Sequence, residues 1–409
     1  MPPSASNAFW HAGRRLPAPR LRPEDYPTGV NLLEPIGWVA LALLVWTHVG
    51  YPLFAFAWSK LLPRHIDAFD IEPRVALIIA AHNEADVIEA KIENALALDY
   101  PPEKLRIIVT SDASDDGTDE IVLRYASRGV ELVRAERGGK VNAQDTAVRQ
   151  LDDATEVIAF SDANCAWQTD ALRRLVRPLS DSRVAYVCGR LSLMRADGTN
   201  REGTYWRFEV ALRGWESKMH SVTGGNGSIY AVRRDAYVYV DPRFGHDLSF
   251  PYLMVKNGWI ATYVPDAIAS EKPTTDLGDE FKRKVRMFGH CWLLVFYGRM
   301  FSLLKLGPLY WIEMISHRLL RYSSGLLHVV LLLASIVLAV ANGGIWWLTL
   351  LAQLAVIGMA LVSAKTAARF TPCALAQYYV LVTLATLVAL YQALFKGIEP
   401  GWERPKGTR

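Results

Sequence analysis

Four stretches of this chain consist almost entirely of apolar residues, and each is about as long as a membrane-spanning helix. A helix needs roughly 20 apolar residues to cross the hydrocarbon core of a bilayer. The first stretch, residues 36–58, contains no Asp, Glu, Lys or Arg, and three more lie near the C-terminus at 323–341, 345–363 and 374–395. We therefore predict one membrane-spanning helix before a long central segment and about three after it. For the first stretch, a helix buried in a protein core is the alternative.

Basic residues next to these stretches predict their orientation, because positive charge favours the cytoplasmic side of a membrane. Lys60 and Arg64 follow the first stretch, and Lys365 and Arg369 lie between the third and the fourth. This pattern predicts a protein of the cytoplasmic (inner) membrane whose central segment faces the cytoplasm. Four spans would place the basic tail at 396–409 on the opposite side, so the number of spans stays open.

Composition characterises the remaining segments and excludes some classes of function. Residues 1–35 are rich in Pro and Arg and lack apolar periodicity, which predicts a disordered tail. Residues 296–322 mix basic residues with aromatic residues and Leu, as in amphipathic helices at a membrane surface, although ordinary packing helices are the alternative. A formal net charge of only +4, spread along the chain, gives no case for nucleic-acid binding. The four cysteines have no paired spacing, so neither a zinc site nor a disulfide framework is predicted.

The central segment, residues 72–290, has the alternating pattern of an α/β domain. Residues 75–80, 106–110 and 157–160 are short apolar runs typical of parallel strands that are buried on both faces. Helical patterns separate these runs, which predicts a mostly parallel sheet with flanking helices. Ligands of such sheets bind beyond the carboxyl ends of the strands, and polar residues follow all three runs. We therefore expect a binding crevice at that edge.

Asp162 and Asn164 follow the third predicted strand and carry hard oxygen ligands at a spacing that suits a divalent metal ion. Such an ion could neutralise a diphosphate as a bond to it breaks. The alternative is a turn that caps the next helix.

Two further groups could bind the rest of a nucleotide. Asp112, after the second strand, could accept a hydrogen bond from the N3–H of uracil, or could belong to an acidic turn. Gly138, Gly139 and Lys140 could offer backbone donors and an ammonium group to phosphate oxygens, or could form a flexible surface loop.

Asp247 and a basic helix complete the set of residues that could carry chemistry. Asp247 precedes a patterned segment, so it is either a general base for an acceptor hydroxyl or the N-cap of a helix. Arg283 and Arg286 are three residues apart on a probable helix, where they would share a face and could clamp a diphosphate. Contact with lipid headgroups is the alternative.

In this order, the motifs resemble those of the family 2 glycosyltransferases of GT-A fold, in the membrane-bound branch of hyaluronan, chitin and cellulose synthases and ceramide glucosyltransferase. The opening AAHNEADVIEAKIENALALDYP and the later SDASDDGT carry most of the likeness. The resemblance implies an α/β GT-A domain joined to a helical transmembrane region.

The resemblance also implies roles for individual residues. Nucleotide-sugar contacts are implied for His82, Glu84, Asp112, Lys140 and Asp162, with Mg²⁺ or Mn²⁺ on Asp162 and Asn164. It implies Asp247 as the catalytic base, Arg283 and Arg286 at the diphosphate, and Gly225 and Asn226 in a loop near the acceptor. Three residues depart from the family pattern: Asn164 replaces the second acid of the DxD motif, His246 replaces the acid before the base, and Met287 replaces a Trp.

The implied reaction is inverting transfer from a UDP-sugar to a growing cell-surface polysaccharide at the cytoplasmic face of the membrane. A lipid acceptor, such as ceramide or a polyprenyl phosphate, is the second hypothesis, and membrane lipids are expected partners in both. A third hypothesis, of another class, is an inactive transferase scaffold that senses a nucleotide or glycan.

Overall fold

A computed structural model of the chain describes residues 28–193, 204–272, 277–302, 305–366 and 371–398. Most of the predicted tail at 1–35 and of the basic tail at 396–409 lies outside the described residues, as does Arg369.

The central domain is built on one eight-stranded sheet in the order β3-β2-β1-β4-β7-β6-β8-β5. The strands are β1 Val75–Ala81, β2 Leu105–Asp112, β3 Val130–Ala135, β4 Val157–Asp162, β5 Ala166–Trp167, β6 Val184–Leu193, β7 Tyr230–Arg233 and β8 Ile260–Glu271.

One half of the sheet is parallel, as the three apolar runs predicted. β1 pairs in parallel with β2 and β4, and β2 pairs in parallel with β3. Every residue of β1 is buried, which explains why this strand is apolar throughout. Ala80 is in register with Asp162, and Ala81 with Ser111, so the three carboxyl ends meet at one edge.

The other half of the sheet is mixed. β7 is antiparallel to both β4 and β6, β6 is parallel to β8, and the short β5 is antiparallel to the end of β8. This arrangement returns the chain to the edge where the parallel strands end, which adds a second wall to the predicted crevice.

Helices cover the sheet and lead into the apolar region. They are α1 Thr28–Val45, α2 Tyr51–Leu61, α3 Ile88–Leu96, α4 Thr118–Leu123, α5 Lys140–Val148, α6 Ala171–Val176, α7 Thr204–Met219, α8 His246–Lys256, α9 Leu277–Phe296, α10 Pro308–Glu313, α11 Leu320–Tyr322, α12 Ser324–Ala341, α13 Ile345–Thr366 and α14 Thr371–Phe395. A π-helical turn at Trp46–Gly50 joins α1 to α2, and another at Met314–Leu319 joins α10 to α11.

Among the described residues, four helical segments are long and apolar enough to cross a membrane: Leu32–Leu61, Ser324–Ala341, Ile345–Ala364 and Pro372–Phe395. They coincide with the four stretches identified in the sequence. The first helix begins at Thr28, before the predicted start at residue 36, so residues 28–35 are helical rather than part of a disordered tail. These residues carry only one charge, at Glu34, so they are nearly as poor in charged residues as the span itself.

The segment 296–322 packs against the domain through its buried side chains. Tyr310 and Met314 are fully buried in a cluster with Tyr252 of α8 and Leu294 of α9. Arg321 forms an ion pair with Glu209 of α7, and Arg318 donates to Thr223. These two basic side chains therefore point into the protein, which matches packing helices better than helices whose basic residues face headgroups.

Candidate active site

The loops that follow β1 and β2 are linked by hydrogen bonds at the carboxyl edge of the sheet. Asn83 has a φ of 53°, and its side-chain oxygen accepts a 2.8 Å hydrogen bond from the backbone N–H of Asp115. The N–H of Glu84, whose side chain is buried, donates to the Thr118 hydroxyl at 2.8 Å. These bonds hold the segment that begins with His82 against the segment after β2.

Asp112 organises the loop that follows β3. Its carboxylate is fully buried and accepts hydrogen bonds from the Arg137 guanidinium, from the N–H of Gly138 at 2.8 Å and from the N–H of Gly139 at 3.0 Å. The backbone oxygen of Asp112 also accepts from Nδ1 of His82 at 2.9 Å. A contact between this carboxylate and a base would therefore require Arg137 or the loop to move. The two glycine amides, for which contact with phosphate and a flexible surface loop were the two interpretations, donate to Asp112.

Lys140 lies on Asp162 at the end of β4. Its ammonium donates to the Asp162 carboxylate and, at 3.3 Å, to the carbonyl oxygen of Gly227. Burial lowers the pKa of Lys140, but the charge and hydrogen bond of Asp162 outweigh that effect and raise the pKa. The Ser228 hydroxyl donates to the other oxygen of Asp162 at 3.2 Å. The acid that was predicted to bind a metal ion, Asp162, is therefore already paired with the ammonium group of Lys140.

Asn164 contacts a carboxylate from another strand. Its Nδ2 donates to Oε1 of Glu271, the last residue of β8, at 2.8 Å. Burial raises the pKa of Glu271 to about 7, and the nearby charge of Asp162 adds to the shift. No three His, Cys, Asp or Glu side chains converge on a possible metal position in the described parts of the chain. The oxygen groups here are two carboxylates and one amide.

Asp247 lies in the first turn of α8 and is joined to the same loop. Its carbonyl oxygen accepts a 2.7 Å hydrogen bond from the N–H of Gly225. Asn226, which is buried, donates to the carbonyl oxygen of Gly189 at 2.6 Å and accepts from the N–H of Ile229 at 3.0 Å. The amide of Asn226 therefore fixes the backbone of the loop.

His246, next to Asp247, is part of the core. Its ring stacks on Phe250 with centroids 4.4 Å apart, and Nδ1 is 3.2 Å from the Tyr230 hydroxyl. Burial lowers the pKa of His246, although Asp145 opposes the shift. The imidazole is thus kept neutral, which limits its electrostatic effect on the neighbouring base.

The two arginines of α9 have different surroundings. Arg283 makes a two-pronged contact with Glu280, at 2.8 and 2.9 Å, and its charge also interacts with Glu271. Arg286 lines a groove of about 480 Å³ between α9 and α14. A shared role for both at a diphosphate stays a prediction.

The loop 224–228 connects most of the predicted site. It contacts Lys140 and Asp162 through residues 227 and 228, and Asp247 through residue 225. Sequence reasoning missed Arg137 and Glu271. Each lies at or just beyond the carboxyl end of a strand, β3 and β8 respectively, and that position was the signal that could have identified them.

Comparison with known proteins identifies glycosyltransferase relatives. Residues 76–238 match the model of the family described as glycosyl transferase family 2. Glycosyltransferase AglE of Haloferax volcanii is 26% identical over 224 residues, which are 53% of this chain and 72% of the relative. A beta-monoglucosyldiacylglycerol synthase of Synechocystis is 28% identical over 209 residues, 47% of this chain and 42% of that protein. The match thus spans less than half of that second relative.

A solved structure of a mannosyltransferase from Pyrobaculum calidifontis, in complex with GDP-Man and Mn²⁺, superposes with a TM-score of 0.70. The alignment covers 89% of this chain and 99% of the other at 24% identity, which establishes the fold. Together with the family match and the sequence relatives, it follows that this chain is an enzyme that contains a glycosyl transferase family 2 domain of GT-A fold, and that its described part has four apolar helices long enough to cross a membrane.

Proposed function

We propose that this enzyme transfers a sugar from a nucleotide-sugar, in the first place a UDP-sugar, to an acceptor hydroxyl at the membrane surface, with inversion at the anomeric carbon. The main support for the proposal is that the loop 224–228 contacts both acidic residues. It binds the Asp162 carboxylate through the Ser228 hydroxyl and the backbone carbonyl oxygen of Asp247 through the Gly225 N–H. The donor-side acid and the candidate base are thus held by one short segment.

Residues at the carboxyl ends of β1, β2 and β4 form the donor half of the proposed site. We assign His82, Glu84 and Asp112 to the binding of the nucleoside, with Asp112 acting mainly by holding the loop 137–139. Lys140, the first residue of α5, is the cation that meets the diphosphate. Because its ammonium is on a flexible stem, it can pass from Asp162 to a phosphate oxygen without a change in the fold.

The residues around Asp162 fit a divalent ion such as Mg²⁺ or Mn²⁺. Asp162 and the amide oxygen of Asn164 are hard oxygen donors, and the Lys140 ammonium shows that the carboxylate attracts a cation. Gly227 keeps the position open, since a Cβ there would lie 2.7 Å from Nζ of Lys140 and 3.6 Å from Oδ2 of Asp162. When bound, such an ion would offset the negative charge of the departing diphosphate.

The chemical step needs a base and a stabilised leaving group. Asp247 accepts the proton of the acceptor hydroxyl while that oxygen attacks the anomeric carbon and the nucleoside diphosphate departs from the opposite face. Lys140 stabilises the charge that develops on the diphosphate. The charge of Lys140 interacts with those of both Asp162 and Asp247, which supports a role for Lys140 in both halves of the site.

The groove between α9 and α14 favours an acceptor carried by a lipid. Its lining combines the cations Lys282, Arg286 and Lys396 with apolar residues that include Phe281 and Val285. α14 is a candidate membrane span, so the groove opens where an anionic headgroup would lie. The relative named as a beta-monoglucosyldiacylglycerol synthase supports this class of acceptor. A growing polysaccharide is the second candidate, favoured by the resemblance to polymer synthases.

Nucleotide release from the full-length protein in lipid nanodiscs tests the proposal. UDP- and GDP-sugars are supplied in turn with Mn²⁺ and a membrane lipid extract, and the products are partitioned between chloroform and water. A single-sugar product in chloroform supports a lipid acceptor, whereas a water-soluble oligomer supports a polysaccharide. Nucleotide binding without turnover would support the sensor hypothesis and contradict the proposal. Asp153→Asn, an exposed change, serves as the control for Asp247→Asn.

A further inference from the structure

We propose that Glu271 supplies the second carboxylate of the divalent-ion site, at the place where the chain has Asn164 instead of an acid. The inference rests on the proposed function, because it assumes that Asp162 binds the ion that accompanies the donor. The proposed ligand, Glu271, is far along the chain from the motif formed by Asp162 and Asn164.

The strand pairing brings Glu271 to this position. β5 begins two residues after Asn164 and runs antiparallel to the end of β8, with Ala166 opposite Ser270. Glu271, one residue further along β8, therefore lies beside the turn that contains Asn164. The 2.8 Å hydrogen bond from Nδ2 of Asn164 to Oε1 of Glu271 fixes both side chains.

That hydrogen bond also determines which oxygen atoms are left to bind an ion. Because Asn164 uses its amide nitrogen in the hydrogen bond to Glu271, its side-chain oxygen takes no part in that bond and can serve as a ligand. A carboxylate has two oxygens and about four lone pairs, so Glu271 can accept from Asn164 and bind a cation at the same time.

The charges around Glu271 match those of a cation site. Its carboxylate interacts with the like charge of Asp162 and with the opposite charges of Lys140 and Arg283. Two carboxylates that face one position repel each other until a cation lies between them. Of the two carboxylates, Lys140 forms a hydrogen bond in the described part of the chain with Asp162 and not with Glu271, which leaves Glu271 for a second positive partner. Two carboxylates and an amide oxygen are a suitable set for Mg²⁺ or Mn²⁺.

An orienting role for Glu271, acting only through Asn164, makes a different prediction. Glu271→Gln keeps an oxygen that can accept the Asn164 hydrogen bond but removes the negative charge. If Glu271 only orients Asn164, this variant should bind metal as the native protein does. Asn164→Asp combined with Glu271→Gln moves the carboxylate from the end of β8 to the turn after β4, so the total charge of the site is unchanged.

Mn²⁺ binding to the full-length protein in nanodiscs decides between a ligand role and an orienting role for Glu271. It is measured from the electron paramagnetic resonance signal of free Mn²⁺, with and without UDP. We expect Glu271→Gln to weaken Mn²⁺ binding roughly 10–100-fold, the range seen when a group that supports a metal is lost. The double variant should recover to within a few-fold, and Glu103→Gln, at an exposed position, should have no effect. Melting temperatures of all variants check that each one folds.

Native Mn²⁺ affinity in Glu271→Gln, together with its loss in Asp162→Ala, would overturn the assignment. Absence of Mn²⁺ binding by the native protein, with or without UDP, would also overturn it. Neither result would contradict the transferase proposal, because release of UDP or GDP from the sugar donors is measured separately in the presence and absence of a chelator.

Discussion

Replacement of Gly225 by Ala tests whether the loop 224–228 holds the two halves of the site together. An added Cβ would overlap the Tyr186 hydroxyl and would lie 3.1 Å from Cζ and 3.3 Å from Cβ of Cys188. Tyr186 is fully buried, so its ring cannot move out into solvent. An extra methyl group in such a place typically costs about 1–3 kcal/mol of folding free energy.

The same substitution should lower activity by more than the loss of stability explains. The Gly225 N–H donates to the carbonyl oxygen of Asp247 at 2.7 Å, so displacement of the loop also displaces the candidate base. We expect a fall of about 2–4 °C in melting temperature per kcal/mol, the range for a domain of roughly 200 residues, together with a lower kcat. Thermal unfolding in detergent and nucleotide release measure the two effects.

Two further variants control this experiment. Tyr186→Phe removes the oxygen that the new methyl group would meet, and that oxygen has no hydrogen-bond partner in the described part of the chain, so the change alone should cost little. Combined with Gly225→Ala, it should restore most of the stability and activity. Gly214→Ala, in α7, brings its Cβ only to 4.0 Å from the Tyr263 ring and should be neutral or slightly stabilising. If Gly225→Ala behaves like Gly214→Ala, the proposed role of the loop is wrong.

Three other predictions address the base, the nucleotide loop and a buried histidine. Asp247→Asn should lower turnover roughly 10²–10⁴-fold with nearly unchanged UDP affinity, and unchanged turnover would remove Asp247 from the role of base. Asp112→Ala should remove the acceptor of two amides, at about 1–3 kcal/mol for the buried amide of Gly139 and less for that of Gly138, so hydrogen exchange at both should accelerate and UDP binding should weaken. Native exchange rates there would argue against the loop-holding role. Burial, assisted by a nearby arginine, lowers the pKa of His220 to about 4, so its contribution to stability is present above pH 6.5 and declines as the pH falls towards 4. The loss should reach at most about 3 kcal/mol, and a His220→Asn variant with the same pH dependence of melting temperature would contradict it.

Much of the architecture could be predicted from local patterns. The run at 75–80 is apolar at nearly every position because β1 is buried on both faces, and this regularity is visible without coordinates. The four apolar stretches are equally visible, since helix length and lack of charge suffice to identify a possible span. The position of Asp112 and Asp162 at strand ends followed directly from the strands, because parallel strands end at one edge.

The roles of several residues could not be predicted, because they depend on partners far away in the chain. The resemblance placed Asn226 in a loop near the acceptor, but the sequence could not indicate that its amide holds that loop, nor that the amides of Gly138 and Gly139 donate to Asp112. His246 appeared as a substitution beside the base, and only its stacking on Phe250 explains it as a core residue.

The sequence by itself determined the class of the molecule: the buried parallel strands, the acids at their carboxyl ends, the apolar helices and the family motifs. These properties depend on residues that lie close together along the chain, so they can be recognised from the sequence alone. The tertiary structure alone decided that Glu271 meets Asn164, that Lys140 lies on Asp162, and that one loop joins Asp162 to Asp247. Those contacts join residues as many as 107 positions apart, and only the pairing of strands in the sheet brings them together.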